Sequence, residues 1–204
     1  MRTLLRIDAS AQQTGSYSRA LADYHQALWE TAHPGGRVIR RDLAADPLPH
    51  LDEETVAVFY AGGEPGVGLV PSGIALSDIL IGELRAANHV VISSSVYNFS
   101  ITSSLKAWVD HVIRFGHTIT RDEKGVSGLL GGRSACLLTA RGGNAETSPE
   151  FLSPTVRAVF QYMGFSRFDW IALEGTKIPD GRLDARVAAA RSAVNALFEN
   201  EAGK

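Results

Sequence analysis

Short apolar segments alternate with longer amphipathic segments along this chain of 204 residues, and the alternation limits the folds open to it. Apolar stretches bounded by turn residues predict five β-strands, and apolar positions at helical spacing predict helices between them. The strands are expected at 3–8, 37–42, 89–93, 133–139 and 168–173. The helices are expected at 18–31, 52–60, 72–87, 104–114, 150–163 and 183–199. Because strand–helix–strand units form parallel pairs with right-handed crossovers, the sequence predicts an α/β fold: a five-stranded parallel sheet with helices on both faces.

Two segments interrupt the alternation. Residues 117–130 carry a β-branched run and Gly125, and we expect a hairpin-like excursion there. Residues 61–70 crowd glycines and prolines together, which is typical of a mobile loop. No repeat, low-complexity tract or linker divides the chain, so a single domain over 1–204 is expected.

The overall composition is that of an ordinary globular domain, with 45% hydrophobic and 21% charged residues. A formal net charge of −2 gives no electrostatic reason to bind nucleic acid or an anionic membrane. No apolar run approaches the ~20 residues that span a bilayer, and the N-terminal residues 1–6 do not resemble a signal peptide. We therefore expect a cytoplasmic protein.

The residues that usually mark metal or hydrolase chemistry are sparse. A single cysteine, Cys136, excludes an intrachain disulfide, and its place in an apolar strand predicts an inert core residue. The six histidines lack the spacing of metal ligands, so no metal site is expected. No GxSxG motif is present, which disfavours a hydrolase.

Three segments that follow predicted strands carry the chemically informative residues: 10–18, 95–100 and 140–143. In open parallel sheets, ligands bind outside the carboxyl ends of the strands, near the point where the strand order reverses. We therefore expect these three loops, called loops one, two and three, to face one crevice.

Loop one is rich in hydroxyl groups and leads into a helix. Free N–H groups and the dipole at a helix N-terminus favour an anion, so Ser10, Ser16 and Ser18 are candidates to hold a terminal phosphate, with Arg19 nearby. The alternative is simple capping, in which Ser18 is the N-cap and no ligand is needed.

Loop two offers flat aromatic side chains, and loop three offers glycines that let a ligand come close to the backbone. Tyr97 and Phe99 offer aromatic faces and Asn98 an amide for a planar, polar-edged ligand, although the two rings alternatively only cover the core. In loop three, Gly142 and Gly143 allow a backbone to approach a ligand and present N–H groups to negative charge, although a plain turn has the same sequence.

Taken together, the three loops resemble the FMN-dependent NADH:quinone oxidoreductase and azoreductase family, which has a flavodoxin-like fold. The resemblance rests on Ser16-Tyr17-Ser18, Tyr97-Asn98-Phe99 with Leu105-Lys106 after it, and Arg141-Gly142-Gly143. It implies one tightly bound FMN per subunit, NADH or NADPH as the electron donor, and a quinone or aromatic azo compound as the acceptor in a ping-pong reaction.

The resemblance also implies the residues that contact the cofactor. The phosphate is expected at loop one, the isoalloxazine along loop two, and the pyrimidine side of the ring near loop three. The expected cofactor-binding residues are Ser10, Ser16, Tyr17, Ser18, Val96, Tyr97, Asn98, Phe99, Ala140, Arg141, Gly142 and Gly143. No catalytic acid or base is expected, because solvent supplies the protons.

Family members are typically homodimers with the site at the subunit interface. Tyr162 is the candidate aromatic that a second copy places over the ring, and Arg121 is a candidate substrate-cover residue that favours anionic substrates. The apolar residues Trp108, Val109, Val112 and Phe115 fit either a dimer interface or a helix packed on the sheet. Two other functions stay open: a flavodoxin-type single-electron carrier, and a flavin-free protein that keeps the fold.

Overall fold

The computed structural model describes residues 1–60, 71–123 and 125–202, so the loop expected at 61–70 lies outside the described residues. The strands are β1 (Thr3–Asp8), β2 (Arg37–Asp42), β3 (His89–Ser95), β4 (Ile119–Asp122), β5 (Gly125–Gly128), β6 (Ser134–Ala140) and β7 (Arg167–Leu173). The helices are α1 (Tyr17–Ala32), α2 (Glu53–Tyr60), α3 (Ser72–Ala86), α4 (Ser103–Val112), α5 (Leu152–Tyr162) and α6 (Leu183–Ala202).

Five strands form one sheet in the order β2-β1-β3-β6-β7, and every pairing is parallel. The chain leaves β1 to form β2 on one side and returns to form β3 on the other. The strand order therefore reverses between β1 and β3, which is where such sheets bind ligands. The predicted fold class is confirmed.

Alternate residues of the central strands point to opposite faces of the sheet and build two separate cores. Leu5 and Ile7 belong to the core that α3, α4 and α5 cover. Leu4, with Val91 from β3 and Cys136 from β6, belongs to the core that α1 and α6 cover. Cys136 is fully buried, which confirms its interpretation as a core residue.

Helix α4 packs on the sheet rather than offering a free apolar face. Trp108 and Val112 are completely buried, and the Trp108 ring stacks on Phe160 of α5 with 6.2 Å between ring centroids. Phe115, beyond the end of the helix, is 38% exposed. The interpretation of this helix as a dimer surface is therefore wrong for Trp108, Val109 and Val112.

The remaining differences from the predicted elements lie at their ends. The excursion at 117–130 contains the antiparallel pair β4 and β5, as expected. Strand β3 extends to Ser95 because Ser94 and Ser95 pair with Thr139 and Ala140 of β6. Within the described residues, no helix has the length and apolar character that a bilayer span requires.

Candidate cofactor site

The three predicted loops meet at the carboxyl edge of the sheet. The Ser10 hydroxyl of loop one lies 3.0 Å from the Ser95 hydroxyl at the end of β3. The Val96 N–H of loop two donates to the Ala140 carbonyl at the end of β6 over 3.1 Å. These contacts join the three loops across the reversal in strand order, so they face one crevice.

Three serine hydroxyls form a continuous cluster at the N-terminus of α1. The Ser16 hydroxyl donates to the Ser10 hydroxyl at 3.2 Å and lies 3.2 Å from the Ser18 hydroxyl. Ser10, Ser16 and Ser18 are all buried. The N-cap of α1 is Ser16 rather than Ser18, because its side chain accepts from the Arg19 N–H. The Ser18 hydroxyl is thus not used for capping and joins the cluster.

Arg19 does not aim its charge at this cluster. Its guanidinium forms a two-point ion pair with Asp42 at 2.6 and 2.8 Å and donates to the Ser10 carbonyl at 2.8 Å. The hydrogen bond that Arg19 donates to Asp42, outweighing burial, raises the pKa of Arg19, and the charge of Asp8 adds to the rise. Arg19 therefore lies near the serine cluster, as expected, and fixes the peptide of Ser10 from behind while its charge pairs with Asp42.

The pKa of the Tyr97 hydroxyl reports on polar groups of loop one and the end of β3. Burial alone would raise the pKa of Tyr97, but hydrogen bonds from the Ser10 and Ser95 hydroxyls and the backbone of Gln12 and Ala11 lower it. Hydrogen bonds to the charged form are what depress the pKa of an acid. The polar groups near the α1 N-terminus therefore favour a negatively charged oxygen at this place.

Loop two is a tight turn with an unusual backbone. The Ser100 N–H donates to the Tyr97 carbonyl at 3.0 Å, and both central residues have positive φ: 48° for Asn98 and 72° for Phe99. Asparagine tolerates this left-handed region, but phenylalanine adopts it rarely. Such strain persists where surrounding contacts impose it, and here the Phe99 carbonyl accepts from the Phe151 N–H at 2.7 Å.

The side chains of this turn remain available to a ligand. Tyr97 is 39% exposed and Phe99 is 53% exposed, so the alternative that both rings only cover the core is wrong for Phe99. Beside the turn runs a groove of about 650 Å³ that also reaches Lys106 at the start of α4 and Thr155 of α5. Val96 is half-buried and packs against the core below the turn.

In loop three the arginine and the glycines have different roles. The Arg141 guanidinium is buried and pairs with Glu174, and it also donates to the Ser148 carbonyl at 3.2 Å. Its charge is therefore directed into the protein, away from the crevice. Ala140, the last residue of β6, is buried and serves as the link to loop two.

The glycines of loop three turn their carbonyls toward the segment after β7. The Gly142 carbonyl accepts from the Lys177 N–H at 3.2 Å, and the Gly143 carbonyl accepts from the Gly175 N–H at 2.7 Å. Their own N–H groups form no hydrogen bond with any residue that the structure describes. Two backbone donors are thus left for a ligand at the third side of the crevice.

The two cover candidates are not brought to these loops within one chain. Tyr162 is 42% exposed at the end of α5, whereas Phe151 at the start of α5 contacts loop two. Eleven helical residues place the two ends of α5 roughly 16 Å apart. Arg121 is exposed on β4, and in the described part of the chain its side chain forms no hydrogen bond or ion pair.

Two residues of the site were missed from the sequence. Ser95 supplies a hydroxyl to the cluster, but the strand was expected to end two residues earlier. Glu174 directly follows β7 and holds Arg141. The signal available for Glu174 was its position, because a residue that follows a strand of a parallel sheet lies at the same edge as the other loops.

Comparison of the sequence with known proteins identifies the family of this chain. A protein-family model described as a flavodoxin-like fold matches residues 2–197 of the chain. The chain is 40% identical to the FMN-dependent NADH:quinone oxidoreductase of Xanthobacter autotrophicus, over 81% of this chain and 82% of that protein. It is 36% identical to FMN-dependent NADH:quinone oxidoreductase 6 of Burkholderia lata, over 96% of this chain and 100% of that protein. The chain belongs to the family of FMN-dependent NADH:quinone oxidoreductases with a flavodoxin-like fold. The resemblance found in the three loops is confirmed.

Solved structures of the flavodoxin-like fold agree with this assignment. The azoreductase from Bacillus anthracis superimposes with a TM-score of 0.88 at 22% identity, covering 98% of this chain and 100% of that chain. An FMN-dependent NADH-azoreductase from Bacillus anthracis, solved in complex with FMN, gives a TM-score of 0.84 at 22% identity, covering 97% and 100%. At these identities the two structures establish the fold of this chain.

Proposed function

We propose that this flavodoxin-like protein is an FMN-dependent NAD(P)H oxidoreductase that reduces quinones by two electrons to hydroquinones and cleaves aromatic azo compounds in a ping-pong order. The names of the relatives support the quinone activity. The fold is shared with proteins named as azoreductases, which supports the azo activity. NADH is the donor in the names of the relatives, and NADPH is the alternative to be tested.

The observation that carries the proposal is the convergence of donors at the N-terminus of α1. Ser10, Ser16 and Ser18 place three buried hydroxyls together, and the polar groups beside them lower the pKa of the Tyr97 hydroxyl despite its burial. The helix dipole adds partial positive charge at the same place. These groups fit a phosphate monoester without a cationic side chain, and we assign them, with Tyr17 at the first turn, to the FMN phosphate.

The other two loops suit the ring system. Val96, Tyr97, Asn98 and Phe99 would lie along the isoalloxazine, with the rigid left-handed turn fixing their positions. The free N–H groups of Gly142 and Gly143 would face the pyrimidine edge, where they stabilise negative charge. Ala140 and Arg141 support the site without facing the crevice. Ala140 links loops two and three, and Arg141 anchors loop three to Glu174.

Bound at the three loops, FMN would supply the redox chemistry between the nicotinamide and the acceptor. The protein binds and orients the cofactor and lowers the cost of negative charge on its ring. The site as described contains no buried acid or base aimed into the crevice that would be needed for proton transfer, so we assign the protons to solvent.

Tyr162 can be part of the site only if a second copy of the chain contributes it. Within one chain it lies at the far end of α5 from loop two. We propose a homodimer with the site at the interface, in which Tyr162 of one copy covers the ring bound by the other. Arg121 stays a candidate for contact with anionic acceptors.

The first experiment loads the protein with FMN, removes free flavin and adds NADH or NADPH without oxygen. Complete bleaching of the flavin absorption, reversed by benzoquinone, is expected. Retained FMN that neither nucleotide bleaches would instead indicate the flavodoxin-type carrier, and failure to retain FMN would remove the assignment of all three loops.

Asn98 provides the matched variants. Asn98→Gly keeps the left-handed backbone and removes the amide, whereas Asn98→Ala also disfavours that backbone. Loss of one hydrogen bond predicts FMN binding about three- to tenfold weaker in Asn98→Gly, and weaker still in Asn98→Ala. Wild-type affinity in both variants would exclude Asn98 from the site.

A further inference from the structure

A second cavity lies at the opposite edge of the sheet, and we propose that it binds a small planar organic anion, an aromatic carboxylate. This amino-edge cavity has a volume of about 430 Å³, and its lining includes Arg2, Trp29, His89, Arg133, Arg167 and Phe198. Its volume is within the range of small-molecule pockets. It is more enclosed than the groove beside loop two.

The position of the cavity makes it independent of the proposed FMN site. Its floor consists of the amino ends of strands, with His89 at the start of β3 and Ser134 at the start of β6. The loops of the FMN site follow the other ends of these strands. Seven residues of β3 separate the two edges by about 20 Å. A ligand bound here therefore does not compete directly for the flavin crevice.

The described residues of the lining carry more cationic than anionic charge. Arg133 donates to three backbone carbonyls, at 2.9 to 3.1 Å, so hydrogen bonds fix its guanidinium without a carboxylate to neutralise it. Arg2 is exposed and forms no ion pair with any residue that the structure describes. Arg167 pairs with Asp169 at 2.7 Å, and Asp169 is the carboxylate in the lining. Among the lining residues that the structure describes, three guanidinium groups stand against one carboxylate, and this balance favours an anion.

Flat side chains form the walls. The imidazoles of His25 and His89 stack with 5.1 Å between centroids, and the Phe198 ring meets His25 edge-on at 5.0 Å. Trp29 stacks on His33 at 4.7 Å beside them. Aromatic walls favour a planar ligand over an aliphatic one of the same size.

The two stacked imidazoles are neutral at physiological pH. Burial, then the charge of Arg6, lowers the pKa of His25 to about 4. Burial, then His25, lowers the pKa of His89 well below its usual range. In addition, His25 Nδ1 is buried without a hydrogen-bond partner in the described part of the chain. The cavity thus combines uncharged planar walls with arginines beside them, which is the chemistry that recognises an aromatic ring bearing a carboxylate.

The test measures binding of benzoate and 1-naphthoate by calorimetry, with the protein saturated with FMN so that the flavin crevice is filled. Benzamide keeps the ring without the charge, and cyclohexanecarboxylate keeps the charge without the planar ring. We expect both aromatic acids to bind with a dissociation constant below about 1 mM, and both comparison compounds to bind at least about tenfold more weakly. Absence of binding by the aromatic acids at about 10 mM would refute the site.

Two charge reversals separate this cavity from general charge effects. Arg2→Glu changes an exposed lining residue, and Arg182→Glu makes the same change at an exposed residue outside the lining. Arg2→Glu is expected to weaken 1-naphthoate binding at least about tenfold, and Arg182→Glu less than about twofold. Equal effects of both variants, or none from Arg2→Glu, would overturn the proposal. Thermal unfolding checks that each variant is folded.

Discussion

The buried pair His25 and His89 predicts that acid destabilises the protein well above the pH at which carboxylates titrate. The side chain of His25 is 1% exposed, and its Nε2 lies 3.2 Å from the Nε2 of His89. Two neutral imidazoles satisfy this contact, because one nitrogen donates and the other accepts. A further proton places two N–H groups head to head in a buried space that already faces Arg6 and Arg167.

The magnitude follows from the lowered pKa. Burial moves the pKa of His25 from 6.5 to about 4, so between these values the unfolded chain binds more protons than the native state. Stability is therefore lost as the pH falls from about 6.5 to about 4. At 1.36 kcal/mol for each unit of pKa, the free energy of unfolding falls by about 1.8 kcal/mol between pH 7 and pH 5 from His25 alone. His89 adds a loss of the same sign.

Urea unfolding of the FMN-free protein at pH 7 and pH 5 measures this loss. His25→Leu removes the titrating group, so its free energy of unfolding is expected to fall between the two pH values by about 1.8 kcal/mol less than that of the parent. His50→Leu is the matched control, because it removes an exposed histidine and leaves the buried pair intact. A pH-dependent loss in His25→Leu within about 0.5 kcal/mol of the parent value would refute this account of the pair.

Three further predictions concern the charge, packing and thiol of the core. The hydrogen bond from Arg19 lowers the pKa of Asp42 to about 2, so the ion pair stabilises the fold above about pH 4 and this stabilisation is lost toward pH 2. Because the Asp42 side chain is one-third exposed, Asp42→Asn is expected to lower the free energy of unfolding at pH 7 by only about 1 kcal/mol. Urea unfolding measures this loss, and an unchanged free energy of unfolding would contradict the prediction. A Cβ at Gly128 would lie 2.1 Å from the backbone of residues 163–164, so Gly128→Ala is expected to lower the free energy of unfolding by about 1–3 kcal/mol. Gly131→Ala is the control with little expected effect, because its Cβ would meet nothing closer than 4.0 Å. Burial raises the pKa of the Cys136 thiol, so it should react with a thiol reagent only after unfolding in urea; rapid reaction of the native protein would show that the core opens.

The fold was predictable because two periodicities are written into the sequence. Strand β1 directs Leu5 and Ile7 to one core and Leu4 to the other, and apolar residues of helices such as α3 recur at a spacing of 3.6 residues. Parallel pairing and right-handed crossovers leave few ways to assemble such elements. The same rule brought loops one, two and three to one edge, so the serines and the Tyr97–Phe99 turn were found together without knowledge of any contact.

The directions of individual side chains were not predictable in this way. Arg19 follows loop one in the first turn of α1 and Arg141 stands in loop three, yet each pairs with a carboxylate more than twenty residues distant in sequence. Only the folded chain brings Asp42 and Glu174 within reach, and a partly buried guanidinium takes the carboxylate that satisfies it best. Sequence spacing contains no information about such a choice.

The sequence by itself therefore determined the parallel sheet and the set of loops that could bind a cofactor, because these depend on local periodicity and chirality. Tertiary structure decided which groups face the crevice, the left-handed turn at Asn98 and Phe99, the burial of Trp108 and the remote position of Tyr162. It also formed the amino-edge cavity, whose lining comes from four strand ends and two helices. Contacts between residues far apart in sequence depend on packing and burial, which exist only once the whole chain has folded.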